Sequence, residues 1–150
     1  ASGDVSSFRR SATVRVRVPD LEPSVKLVQP EMAVPGQVVT YTLRLQNTGS
    51  IGASASLTDA LPAELIYAPD SLWASAGQAT VEEGVIGWSG LVPEESLILI
   101  RYRARVRVVT SPGTIILNQM RIRPQMGRAL VRQTALAVRP RPTNLPLIMR

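Results

Sequence analysis

The chain has 150 residues, enough for one domain with a full core and too few for two ordinary ones. Hydrophobic residues make up 45% and aromatics only 4%, so any core is aliphatic, which favours β-branched strands over an aromatic-lined pocket. Histidine and cysteine are both absent, which removes Cys/His zinc sites, the commonest general base and any ordinary serine triad.

The net charge of +6 comes almost wholly from arginine, because Lys26 is the only lysine. Guanidinium groups pair bidentately with carboxylates and tolerate partial burial. That suits an interface-rich protein, and it equally suits a GC-rich genome. No apolar run is longer than that of Leu97 to Ile100, far short of the roughly 20 residues of a membrane span.

Residues 1–10 are polar and read as irregular; Ala1-Ser2-Gly3-Asp4 reads as the start of a mature chain after signal-peptide cleavage. Ala12, Val14, Val16 and Val18 then alternate with Thr13, Arg15 and Arg17, which predicts a strand ending at Pro19. Further strands are expected near 24–28, 37–46 and 53–59. The second of these opens on Pro35-Gly36, a pair suited to a type II turn, and closes at Asn47-Thr48-Gly49-Ser50. Asn47 and Gly49 are expected to take left-handed backbone, and Asp59 to bond backbone amides at its strand end.

Residues 60–68 turn a corner with Leu65 and Tyr67 inward. A hairpin over 79–88 turns at Glu83-Gly84, and Leu91-Val92-Pro93-Glu94-Glu95 makes a link. The longest predicted strand runs over 96–109. Ile98, Ile100, Tyr102, Ala104, Val106 and Val108 face one way; Arg101, Arg103, Arg105 and Arg107 face the other. Strands near 115–123 and 128–139 complete the pattern, and Pro140-Arg141-Pro142 leads stiffly to the apolar Leu145-Pro146-Leu147-Ile148-Met149. Many short strands with turn signals between them, and no helix, predict a β-sandwich.

In order and spacing, Val34-Pro35-Gly36, Thr40-Tyr41-Thr42-Leu43, Asn47-Thr48-Gly49, Thr58-Asp59 with Leu61-Pro62, Gly87-Trp88 and Asn118 carry a resemblance. The chain resembles the immunoglobulin-like repeat of bacterial and archaeal surface proteins, a conserved repeat domain of unknown function. The resemblance covers about Pro23 to Val138. It departs at Glu94, where the repeat usually has Gly. It implies an all-β immunoglobulin-like sandwich of two antiparallel sheets, here with an extra N-terminal strand. It also implies a secreted, cell-surface, structural or adhesive module with no reaction of its own. The expected organisation is an N-terminal extension over 1–22, the sandwich over 23–139 and a Pro-rich tail over 140–150.

A two-faced Val/Arg strand is not stable alone, so residues 11–18 must pair with an exposed edge of their own sheet or of a neighbour's. Pairing in trans, head to tail, would build a filament of copies of the chain. On that reading the candidate interface residues are Ala12, Val14, Arg15, Val16, Arg17 and Val18, with Leu145, Leu147 and Ile148 of the tail.

The arginine ladder at 101, 103, 105 and 107 sets guanidinium groups about 6.6–6.8 Å apart on one face. It suits an acidic glycan or an interface, and it equally suits a solvated face paired with Glu82, Glu83 or threonines. Too few aromatics are free for base stacking, which disfavours nucleic acid. Trp73 with Tyr67 is a candidate sugar platform, the basis of an alternative reading as a glycan- or surface-binding module. Glu82-Glu83 and Glu94-Glu95 sit at predicted turns rather than in a cleft, so no catalytic pair is expected, nor any cofactor. Asp20/Glu22 and Asp59/Asp70 are too sparse for calcium.

Overall fold

A computed structural model describes residues 13, 14 and 16–142 of the chain. Strands alternate from apolar and buried to polar and exposed along almost their whole length, and two sheets close their apolar faces on each other. The first sheet has the order β1 (Val25–Gln29), β3 (Val38–Asn47), β9 (Ser96–Val106), β5 (Leu65–Tyr67), and β6 (Trp73–Ala74) also pairs with β9. The second has the order β2 (Met32–Ala33), β11 (Leu130–Val138), β10 (Ile115–Pro124), β4 (Ala53–Ala60), β8 (Val85–Val92), β7 (Gln78–Glu82). All pairings are antiparallel except β2 with β11, which run parallel over Met32–Ala33 and Ala137–Val138. No helix of the described residues is long and apolar enough to cross a membrane.

The core is aliphatic, as the composition requires: Leu43, Leu45, Ile100, Val106, Ile116, Ile122 and Leu136 are buried between the sheets. Trp88 joins them, its indole Nε1 donating to Ala76 O at 2.7 Å. Gly77 lies flat against that ring with φ +78°; a Cβ there would stand 2.6 Å from it. The turn chemistry is largely as the sequence predicts. Gly36 takes φ +88°, and the β7–β8 hairpin turns on Glu83 and Gly84, both at positive φ as a type I′ turn demands. At the Pro93 link the left-handed residue is Glu95, at φ 50°.

Three expectations are corrected. Thr13, Val14, Val16, Arg17 and Val18 form no strand; Val14 and Val16 are 79% and 75% exposed. The reason is where the chain is held. Val18 O accepts from Ser50 N at 3.0 Å and Asp20 O from Thr48 N at 2.9 Å, so this segment docks on the β3–β4 turn and not along a sheet edge. Ala12, Arg15, Leu145, Leu147 and Ile148 lie outside the described residues.

Asn47 and Gly49 do not adopt left-handed backbone. Asn47 serves through its side chain instead. Its Oδ1 accepts from Asp20 N and Gly49 N, and its Nδ2 donates to Ile51 O and Val92 O, so one buried carboxamide ties the N-terminal segment, the turn and β8 together. Gly49 is needed because a Cβ would collide with the backbone of Val18 to Asp20.

Strand β9 ends at Val106, and Val108 is 67% exposed rather than inward. Arg107 N donates to Glu64 O, and Arg107 O accepts from Thr110 N, which turns the chain off the sheet.

Candidate functional site: a buried lysine, aspartate, tyrosine and asparagine between the sheets

Four polar side chains occupy the apolar phase of their strands. Lys26 lies in register with Val28 on β1, Tyr102 with Ile100 and Ala104 on β9, Asp59 with Leu57 on β4, and Asn118 with Ile116 and Met120 on β10. Alternation therefore drives all four into the core. The first two come from one sheet and the last two from the other, so they meet across the sandwich.

Tyr102 Oη is the hub. It donates to Asp59 Oδ2 at 2.8 Å, accepts from Asn118 Nδ2 at 3.0 Å and accepts from Lys26 Nζ at 3.3 Å. Lys26 Nζ also pairs directly with Asp59 Oδ2. Tyr41, opposite Tyr102 on β3, stacks on its ring with centroids 5.3 Å apart, and both rings lie under the lysine nitrogen.

Burial dominates the electrostatics. It lowers Lys26 to about 8, outweighing the Asp59 carboxylate beside it. It raises Asp59 above its ordinary value against the pull of Lys26, and raises Tyr102 too. Tyr41 is pushed up to about 12, chiefly by the same burial. Each shift favours an uncharged form: amine, carboxylic acid, phenol. Three buried polar atoms here, Asp59 Oδ1, Asn118 Oδ1 and Tyr41 Oη, have no hydrogen-bond partner. Leaving such atoms unpaired costs about 1–3 kcal/mol each. An amine, a carboxyl group and a carboxamide gathered in one buried site are the functional groups that amide exchange requires.

Sequence reasoning missed this site. It placed Asp59 on backbone amides at a strand end, whereas its carboxylate is wholly buried and bonds Lys26 and Tyr102. The available signal was phase: the sole lysine, an aspartate and an asparagine each fall on the inward beat of an apolar alternation.

The predicted surface residues are placed differently. Arg101, Arg103 and Arg105 line the outer face of β9, and Arg107 lies just beyond its end. Arg101 stacks on Trp73, Arg105 Nη1 donates to Gly36 O, and Arg107 Nε donates to Ala63 O. Across from the ladder stand Thr42, Thr40 and Val38 of β3; Glu82 and Glu83 belong to the far edge of the other sheet. Trp73 is 50% exposed, while the Tyr67 hydroxyl accepts from Leu72 N. Glu82-Glu83 and Glu94-Glu95 lie at or beside turns.

No family model matches the chain, and no curated protein matches it. Solved structures do. BcpA, the major pilin subunit of Bacillus cereus, superposes with a TM-score of 0.63 at 11% identity, over 82% of this chain and 40% of that one. A putative membrane-anchored protein of Corynebacterium diphtheriae gives 0.60 at 12% identity, over 91% and 40%. The collagen-binding domain of a Staphylococcus aureus adhesin gives 0.55 at 10% identity, over 83% and 99%. This chain thus spans about 40% of the first two proteins and nearly all of the third domain. At these identities the likeness establishes one thing: the chain has the immunoglobulin-like β-sandwich fold found in bacterial surface pilins and adhesins.

Proposed function

We propose that the chain is a tension-carrying structural module of an extracellular surface assembly, whose two sheets are joined by an amide bond between Lys26 and Asn118. The buried cluster around Tyr102 Oη carries this reading. Neutral Lys26 Nζ attacks Asn118 Cγ. The Asp59 carboxylic acid stabilises the developing oxyanion, the Cγ–Nδ2 bond breaks, and Nδ2 leaves as ammonia. One amine and one carboxamide become one secondary amide plus ammonia, so atoms and charge balance without any oxidant or cofactor. The product removes an ionisable amine from the core. The module turns over no external substrate; the chemistry happens once, on itself.

The mechanical logic follows from topology. Lys26 is on the first strand of the sandwich and Asn118 on the next to last, in opposite sheets. Tension applied at the chain ends would pass through the bond, and residues 27–117 would stay folded. Single-molecule stretching tests this. The wild-type chain should not release the 26–118 segment, whereas Asn118→Ala should release a further extension on the order of 300 Å, at about 3.3–3.6 Å per residue. Equal release from both proteins would sink the reading.

The exposed Val14 and Val16, which belong to no strand of the described residues, support a finer proposal: that residues 11–18 add as a strand to a second copy of the chain, with the 145–148 tail contributing to the same head-to-tail contact. Electron microscopy would then show fibres from the full chain and monomers after deletion of residues 1–17; fibres from the truncated chain would exclude it. Trp73 with Arg101 stacked on it favours the alternative of a glycan- or surface-binding module, acidic glycans included. Glycan-dependent quenching of Trp73 fluorescence would support that alternative.

A further inference from the structure

The crosslink reading leaves one proton unaccounted for. After attack, the former lysine nitrogen carries a proton too many, and Asn118 Nδ2 needs one more to leave as ammonia. The two nitrogens do not bond to each other, and Asp59 bonds Lys26 and Tyr102 through Oδ2 but makes no hydrogen bond to Asn118. One oxygen touches both: Tyr102 Oη, at 3.3 Å from Lys26 Nζ and 3.0 Å from Asn118 Nδ2.

We infer that Tyr102 is a catalytic residue of the self-crosslinking reaction, its hydroxyl relaying a proton from the attacking Lys26 nitrogen to the departing Asn118 nitrogen. The inference deepens the crosslink reading and rests on it. In the tetrahedral adduct Nδ2 becomes an amine with a free lone pair, so it changes from donor to acceptor. Tyr102 Oη then gives its proton to Nδ2 and takes one from the lysine nitrogen. The phenol ends as it began, neutral; no phenolate forms. Three features suit it to the task. The ring is fixed by stacking on Tyr41 and by its wholly buried place on β9. The hydroxyl already holds nucleophile, acid and leaving group at one point. No other described side chain hydrogen-bonds to both nitrogens.

The test is a time course of intact mass after a short pulse of cell-free synthesis. Wild type should lose one ammonia. Tyr102→Phe, which keeps the ring, should lose it at least about tenfold more slowly, as expected for removal of one general acid–base group. Tyr67→Phe, outside the cluster, should match wild type. Should Tyr102→Phe fail to fold, 3-fluorotyrosine in a chain lacking Tyr41 and Tyr67 hydroxyls keeps the ring and makes the Tyr102 phenol more acidic. A changed rate supports the relay, and a rate equal to the same chain with ordinary tyrosine overturns it. Ammonia loss in Tyr102→Phe at the wild-type rate overturns the relay alone. No ammonia loss from wild type overturns the crosslink and the relay together.

Discussion

Strand β9 carries two faces that look equally purposeful in one dimension and differ sharply in three. Its outward face holds Arg101, Arg103 and Arg105 in solvent, Arg101 over the Trp73 ring, Arg105 bonded to Gly36 O and Arg103 in register with Thr40. Its inward face holds Tyr102, which bonds side chains from three other strands. Charge density marks the first face and hydrogen-bond convergence the second. Surface charges are screened and individually worth little, whereas a buried polar group is costly unless every partner is in place. The inner face is therefore where substitution should be felt.

Four substitutions can break that contrast. Asp59→Ala leaves the lysine nitrogen buried without its carboxylate. Stability measured by chemical denaturation should fall by about 3–5 kcal/mol, and the crosslink should not form. A loss below about 1 kcal/mol would put the cluster on a par with the surface.

Asn118→Ala leaves Lys26 free to titrate. Its native value is lowered from 10.5 to about 8, so between those limits the unfolded chain binds more protons than the folded one. Stability should then rise from pH 8 towards 10.5, by up to about 1.4 kcal/mol per pH unit, and that gain should be lost as pH falls back from 10.5 to 8, with no further change from this group below 8. On the crosslink proposal the wild type has no such amine and should lack this rise. A rise of equal slope in both proteins would show that the amine is still free.

Tyr41→Phe removes a buried hydroxyl that has no partner, so thermal unfolding should show no loss and a gain of up to about 1 kcal/mol. A clear loss would mean that the two stacked tyrosines share the polar role. Arg103→Ser on the outer face should change stability by less than about 0.5 kcal/mol. A larger loss would give the ladder a structural part that its exposed setting does not suggest.

The sandwich was legible because its signals are local. Alternation over 37–46 and 98–106, the Pro35-Gly36 turn and the Glu83-Gly84 hairpin each declare themselves within a few residues. The N-terminal valines form no strand within the chain for an instructive reason. Alternation states which face a strand would bury, but a strand exists only where a partner supplies hydrogen bonds, and Val18 and Asp20 are held by a turn instead. The cluster was illegible for the opposite reason. Residues 26, 59, 102 and 118 sit on four strands in two sheets, and only the packing of those sheets brings them together. Their inward phase was visible; their common meeting point was not.

The most direct measurement is the intact mass of the purified chain. The account predicts a mass lower than that of the sequence by one ammonia, with the loss traced to a linked peptide pair containing Lys26 and Asn118 and absent from Asn118→Ala. A loss of one water would instead make Asp59 the acceptor, and an unchanged mass would contradict the crosslink outright.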